Sequence, residues 1–169
     1  RTARKAEYAV VDAIVAEGSE SGGKVALDEV PTISKLPQVI DSVKIPVVAA
    51  GGFASGRGLL AALAMGAQGV QMGTRFIASE ESRAHKNWKD VLVNVGDSAT
   101  SIALRNSSPT RLIKNEFFRE MDALDEPGKK AMDFMHVQQA GSERIPDDID
   151  GSQGNYTCLL YTSDAADER

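Results

Sequence analysis

The chain has 169 residues, 42% hydrophobic and 25% charged, with a mean hydropathy of −0.23. This composition suits one globular core, and no apolar stretch approaches the roughly 18–20 residues of a membrane span. A formal charge of −5 points away from nucleic acid, and the lack of a charged-then-apolar leader makes the cytoplasm the expected location.

The chain opens on Arg1 without a methionine, and residues 3–11 read as the tail of a helix. Three apolar runs follow, each ending on glycine: "AIVA" at 13–16, "IPVVAA" at 45–50 and "GVQM" at 69–72. Continuous runs without alternation predict strands covered on both faces, as in a parallel sheet. Between them lies helical text. Pro37 suits the first turn of a short helix carrying Val39, Ile40 and Val43. "GRGLLAALAMGA" places Leu59, Leu60, Leu63 and Ala64 on one stripe, with Gly66 as its C-terminal cap. Strand, loop and helix recur at the spacing of βα units.

Downstream the pattern loosens. Residues 80–95 can form an amphipathic helix through Ala84, Trp88, Val91, Leu92 and Val95, and "SIALR" can form a short strand. Residues 110–124 place Leu112, Ile113, Phe117, Met121 and Leu124 at helical spacing, stopped by "DEPG". Beyond Gly141 the text is polar and no element is assigned. The final "CLLYTSDAADE", Cys158 to Glu168, has no relation to what precedes it and back-translates to the read-through of a transposon-based sequencing adapter. Setting residues 158–169 aside removes the only cysteine, three acids and one arginine, so the formal charge moves from −5 to −3. The expected organisation is a partial α/β domain over 1–145, a polar unassigned segment over 146–157 and a non-native tail over 158–169.

In a parallel α/β sheet or barrel, function sits where strands end and helices begin. "AAGGF" (residues 49–53) and "MGTRF" (72–76) occupy two such places. Their glycines Gly51, Gly52 and Gly73 expose backbone N–H groups, and Thr74 adds a hydroxyl, a combination suited to a phosphate. The plainer alternative is that these glycines serve tight turns and close helix–sheet packing. Because (β/α)8 barrels bind phosphate after their last two strands, the two segments are expected to follow strands seven and eight. A full barrel of that kind takes about 250 residues, so this chain is expected to hold its C-terminal part only.

The stretch "AIVAEGSESGGK…IPVVAAGGFASGRGLLAALAMGAQGVQMGTRF", from Ala13 to Phe76, resembles the nitronate monooxygenase family of FMN-dependent (β/α)8 barrels. It is also similar to the flavin-dependent enoyl-[acyl-carrier-protein] reductases. The resemblance implies that Gly51, Gly52, Gly73 and Thr74 hold the FMN phosphate and that Gly22 and Gly23 pass close to the flavin. It also implies a small-molecule substrate with O2 or NAD(P)H as the second reactant, no nucleic acid and no membrane partner. It assigns no oligomeric state.

The family's loop commonly ends Gly-Gly-His, whereas this chain has Lys24 there. A lysine with its ordinary pKa of about 10.4 is protonated at neutral pH and takes no proton, whereas histidine titrates near neutrality. Lys24 is therefore the candidate catalytic residue, pairing with an anionic nitronate or with charge on reduced flavin, or else a solvated loop lysine. Three other readings are a flavin-dependent NAD(P)H reductase of an enoyl thioester or quinone, a flavin-free barrel binding a sugar phosphate or nucleotide, and a flavin-binding relative without catalysis. His85 and His136 are expected to be surface or packing residues. Glu17 and Glu20 are expected to cap backbone donors or orient Lys24, and Arg57 to be solvated or near the phosphate. No His/Cys/Asp set has metal-ligand spacing, and no G-x-S-x-G occurs.

Overall fold

Short β-branched runs bounded by glycine pair into sheets, and the alanine-rich text between them coils into helices. The structure, a computed structural model, describes residues 2–156. In chain order its elements are α1 (Thr2–Tyr8), β1 (Ile14–Glu17), β2 (Gly23–Lys24), α2 (Thr32–Ile40), β3 (Val47–Ala50), α3 (Gly56–Ala64) and β4 (Gly69–Gln71). There follow α4 (Thr74–Ile77), α5 (Lys86–Asn94), β5 (Thr100–Ala103), β6 (Thr110–Ile113), α6 (Glu116–Asp122), a 3-10 turn (Ala131–Phe134) and α7 (Met135–Arg144). The adapter-like segment at 158–168 lies outside the described residues.

The three glycine-terminated runs form one parallel sheet in the order β1-β3-β4. Ala16 faces Ala49 across the first pair and Ala49 faces Val70 across the second. The helices α2 and α3 are the two crossovers, as parallel neighbours require. Leu36 of α2 and Ala62 of α3 meet Ala16, Val47 and Ala49 in one core cluster, where alanines let the helix backbones approach the sheet. Leu36 is fully buried, a burial that stabilises by about 1.5–3 kcal/mol. The opposite face of the sheet is not covered as the unbroken apolar runs predict: Val15 is 49% exposed. This architecture is the C-terminal part of a (β/α)8 barrel, incomplete, with two βαβ units and its helices on one face.

Pro37 lies well inside α2, not in its first turn. The helix starts earlier because the Glu20 carboxylate reaches back to it and accepts a hydrogen bond from the Thr32 backbone N at 2.8 Å. Inside the helix Pro37 lacks the N–H that would bond one turn back, and its ring crowds the carbonyl there.

A second, antiparallel sheet runs β2-β6-β5. Its existence corrects the expected helix over residues 110–124. Thr110–Ile113 pairs with Thr100–Ala103 in antiparallel register, and only from Glu116 does the chain turn helical, with Asn115 Oδ1 accepting from Phe118 N at 2.9 Å as the cap. The apparent helical spacing of Ile113, Phe117 and Met121 spans two elements. Leu112 and Ile113 instead point to opposite faces of the strand. Leu112 joins Phe117, Met121 and Phe134 in one cluster, and Ile113 joins Ile145 and Tyr156 in another. The expected helix at 80–95 is likewise shorter, beginning at Lys86.

Residues 146–156 carry no regular element, yet they are tightly organised. The buried Asp148 carboxylate accepts from Ser152 N at 3.0 Å, Gln153 N at 3.0 Å, Gly154 N at 2.6 Å and the Tyr156 hydroxyl at 2.9 Å. Asn115 Nδ2 donates to Gly151 O and Gly154 O, tying this loop to the start of α6. A polar sequence here means internal hydrogen bonding.

Two outcomes follow for stability. A Cβ at Gly18 would lie well inside 3.0 Å of both Thr32 N and Thr32 Oγ1, so Gly18→Ala is expected to cost roughly 2 kcal/mol or more, read as a lowered urea midpoint. Burial, together with the hydrogen bond to Asp148, raises the Tyr156 pKa above its ordinary value of about 10. The folded state then keeps a proton that the unfolded state loses, so this contribution is complete below about pH 10 and disappears as pH rises further. Midpoints measured from pH 8 upward are expected to fall beyond pH 10, and Tyr156→Phe to remove that part of the decline.

Candidate active site

Parallel strands deliver their loops to one end of the sheet, and here three loops converge beyond β1, β3 and β4. The first leaves β1 at Glu17 and is drawn over the start of α2. Gly18 N donates to Ala50 O at 3.2 Å, and Ser19 N donates to Val30 O at 3.0 Å. Glu20 is exposed overall, but its Oε2 takes both the Thr32 N–H and a 3.1 Å contact from Thr32 Oγ1. That hydroxyl also stands 3.0 Å from Ala50 O and 3.0 Å from Gly51 O. Its single proton serves one of the three acceptors at a time, which gathers the first two loops around one side chain. Glu20 is thus a backbone cap, the plainer of the two roles expected of it.

Between the loops opens a cleft of about 600 Å3, lined by residues 20–22, 50–54 and 71–74 with Val15 and Glu17. Gly51 and Gly52 have φ of +94° and +82°, a conformation that favours glycine, and so present bare backbone to the cleft. A Cβ at Gly73 would meet nothing within 4 Å. Phe53 adds an aromatic wall and packs against the parallel-sheet core.

Of the sequence-derived site residues, Gly22, Gly51, Gly52, Gly73 and Thr74 come together in this lining. Gly23 is buried with φ of +75° and begins β2, where it pairs with Arg111. Lys24 does not line the cleft: it is exposed and pairs with Thr110 in the second sheet. His85 caps α5, its Nδ1 accepting from Asn87 N at 3.3 Å, and His136 is exposed on α7. Arg57 is exposed on the first turn of α3, outside the lining.

Several residues that shape the site carry little sequence signal. Thr32 follows a proline with no motif, and its role depends on a carboxylate twelve residues away. Arg111 lies 92 residues from Ser19, to whose carbonyl its Nε donates at 2.9 Å, while its Nη1 reaches Thr100 Oγ1 at 3.1 Å. This arginine joins the cleft's first loop to the second sheet. A larger hollow of about 720 Å3 lies against α7 and the 147–153 loop. It offers no glycine cradle, and Asp148 there is taken up in holding the loop.

The fold and sequence are similar to those of known proteins. The nitronate monooxygenase family model matches residues 1–161. A probable nitronate monooxygenase of Staphylococcus aureus (strain Newman) is 46% identical across 68% of this chain and 35% of its own length. FabK from Thermotoga maritima superposes with a TM-score of 0.79 at 37% identity, covering 92% of this chain and 49% of FabK. Nitroalkane oxidase from Streptomyces ansochromogenes gives 0.75 at 31% identity, over 92% and 47%. The chain therefore spans a third to a half of these relatives. With a family match along nearly its whole length and the glycine cleft at the expected strand ends, the chain belongs to the nitronate monooxygenase family.

Proposed function

We propose that the full-length protein carrying this chain is an FMN-dependent oxidoreductase that converts alkyl nitronates to carbonyl compounds and nitrite with O2. The observation that carries the reading is the cleft at the ends of β1, β3 and β4. Glycine backbones from two adjacent strand ends face one hollow, within the range of about 300–1,000 Å3 usual for cofactor sites. The fit is also chemical. Gly51 and Gly52 expose backbone at positive φ, and the open space beside Gly73 lets an anionic group approach the main chain closely. Gly51, Gly52, Gly73 and Thr74 would hold the phosphate, and Gly22, on the facing loop, would border the flavin. Bound FMN supplies the electron acceptor of the reaction.

The chain's own residues shape one wall of the site. Glu20 and Thr32 hold the first loop in place over the start of α2, so the cleft keeps its shape without the ligand. Glu20 is directed into that clasp, with Oε2 bonded to the Thr32 backbone N and hydroxyl. A nitronate is already deprotonated and needs no general base. Lys24, exposed at the loop's far end, acts as a positive charge that draws the anion toward the cleft, an effect on encounter rather than on bond breaking. A neutral nitroalkane, which must first lose a proton, is then a poor substrate.

A second reading within the same fold is a flavin-dependent NAD(P)H reductase of enoyl thioesters or quinones, favoured by the FabK likeness at 37% identity. An anaerobic visible spectrum of the full-length protein separates the two. Loss of flavin absorbance on adding nitronate is expected. Loss with NADH alone moves the assignment to the reductase, and an absence of flavin bands sinks both. Lys24→Ala is expected to raise the nitronate KM roughly 2–5-fold at low salt with kcat little changed, the effect shrinking as salt screens the charge. A hundredfold fall in kcat would instead place Lys24 in the chemical step.

A further inference from the structure

Ser21 lies in the wall of the cleft and is 6% exposed, yet its hydroxyl has no hydrogen-bond partner among the described residues. A hydroxyl shut away from water without a partner is unfavourable, and such groups are uncommon in folded proteins. The neighbours do not supply one. Ser21 N is taken up by Gly18 O at 3.2 Å. Glu20 is turned to α2, and the Thr32 proton is contested by three acceptors.

Room for this hydroxyl is made by residue 51. A Cβ there would come within 2.6 Å of Ser21 Oγ and 2.9 Å of Thr32 Oγ1. The bare Gly51 backbone therefore admits the Ser21 oxygen to its side, and the hydroxyl stands beside the same glycine that faces the cleft. We propose that Ser21 is a further ligand of the cofactor's phosphate, its side chain turning about χ1 into the cleft so that the Oγ–H donates to a phosphate oxygen. This rests on the flavin reading above. The phosphate is the group whose oxygens are anionic acceptors, and a hydrogen bond to a charged acceptor is stronger than one to a neutral hydroxyl or ring carbonyl. Donation to it satisfies a buried side-chain hydroxyl in this wall that has no partner among the described residues.

The test compares two ligands that differ only in that group. Full-length wild type and Ser21→Ala, stripped of flavin, are titrated with FMN and with riboflavin, following quenching of flavin fluorescence. The variant is expected to bind FMN roughly tenfold or more weakly and riboflavin equally well. The thermal midpoint of its flavin-free form is expected to stay level or rise, because alanine removes a group that has no partner until the ligand arrives. Unchanged FMN affinity overturns the proposal. Equal losses for FMN and riboflavin also overturn it, by moving the contact to the ribityl chain or ring. A fall in the flavin-free midpoint with unchanged FMN affinity assigns Ser21 a purely structural part. If wild type binds neither ligand, the flavin reading itself fails, an outcome distinct from all the others.

Discussion

Where the chain leaves β1, Gly18 lies so close to the start of α2 that no side-chain carbon fits between them, and the geometry of the cleft depends on that approach. Thr32 can meet the Glu20 carboxylate only because the loop is pressed this near. The same hydroxyl reaches the carbonyls of residues 50 and 51, so the loop after β1 and the loop after β3 share one fixed point. From that point Gly51 and Gly52 take their positive-φ geometry, and Ser21 comes to lie against Gly51. A helix start thus serves as the anchor for two strand ends, with one carboxylate and one hydroxyl as the fastening groups.

The loop's other end is fastened differently. Gly23 and Lys24 become a short strand of the second sheet, continued by Val25 N donating to Pro109 O at 2.9 Å, and Arg111 holds Ser19 from the same sheet. A segment rich in glycine and serine is therefore held on both sides. This explains how a composition that favours flexible backbone can present a defined wall. It also explains why Lys24 stands away from the cleft: its backbone is committed to β6, opposite Thr110, and the residue is exposed there.

Much of this was legible from residue pattern where the pattern was local. The glycine-ended runs gave the three parallel strands, the stripe in "GRGLLAALAMGA" gave α3, and the glycine pairs marked the cleft. The failures involve partners that a periodic pattern within one segment does not reveal. Residues 110–113 have apolar spacing that fits a helix, and only pairing with residues 100–103 makes them a strand. Pro37 looked like a helix start because the true start is fixed by Glu20, outside the helix. The 146–156 loop has no periodicity, since its order comes from one carboxylate collecting donors along an irregular path. Lys24 was placed beside the site because it stands where the family's Gly-Gly-His loop has its histidine, whereas strand pairing sets it in β2, outside the cleft lining.

Val15 belongs to two surfaces at once: it borders the cleft and lies on the sheet face that the helices leave uncovered. A group packed against that face would also border the cleft through Val15, and covering the sheet would then be thermodynamically linked to filling the cleft. A ligand that binds only the completed form adds its binding free energy to the assembly, about 2.7 kcal/mol at a concentration 100 times its Kd.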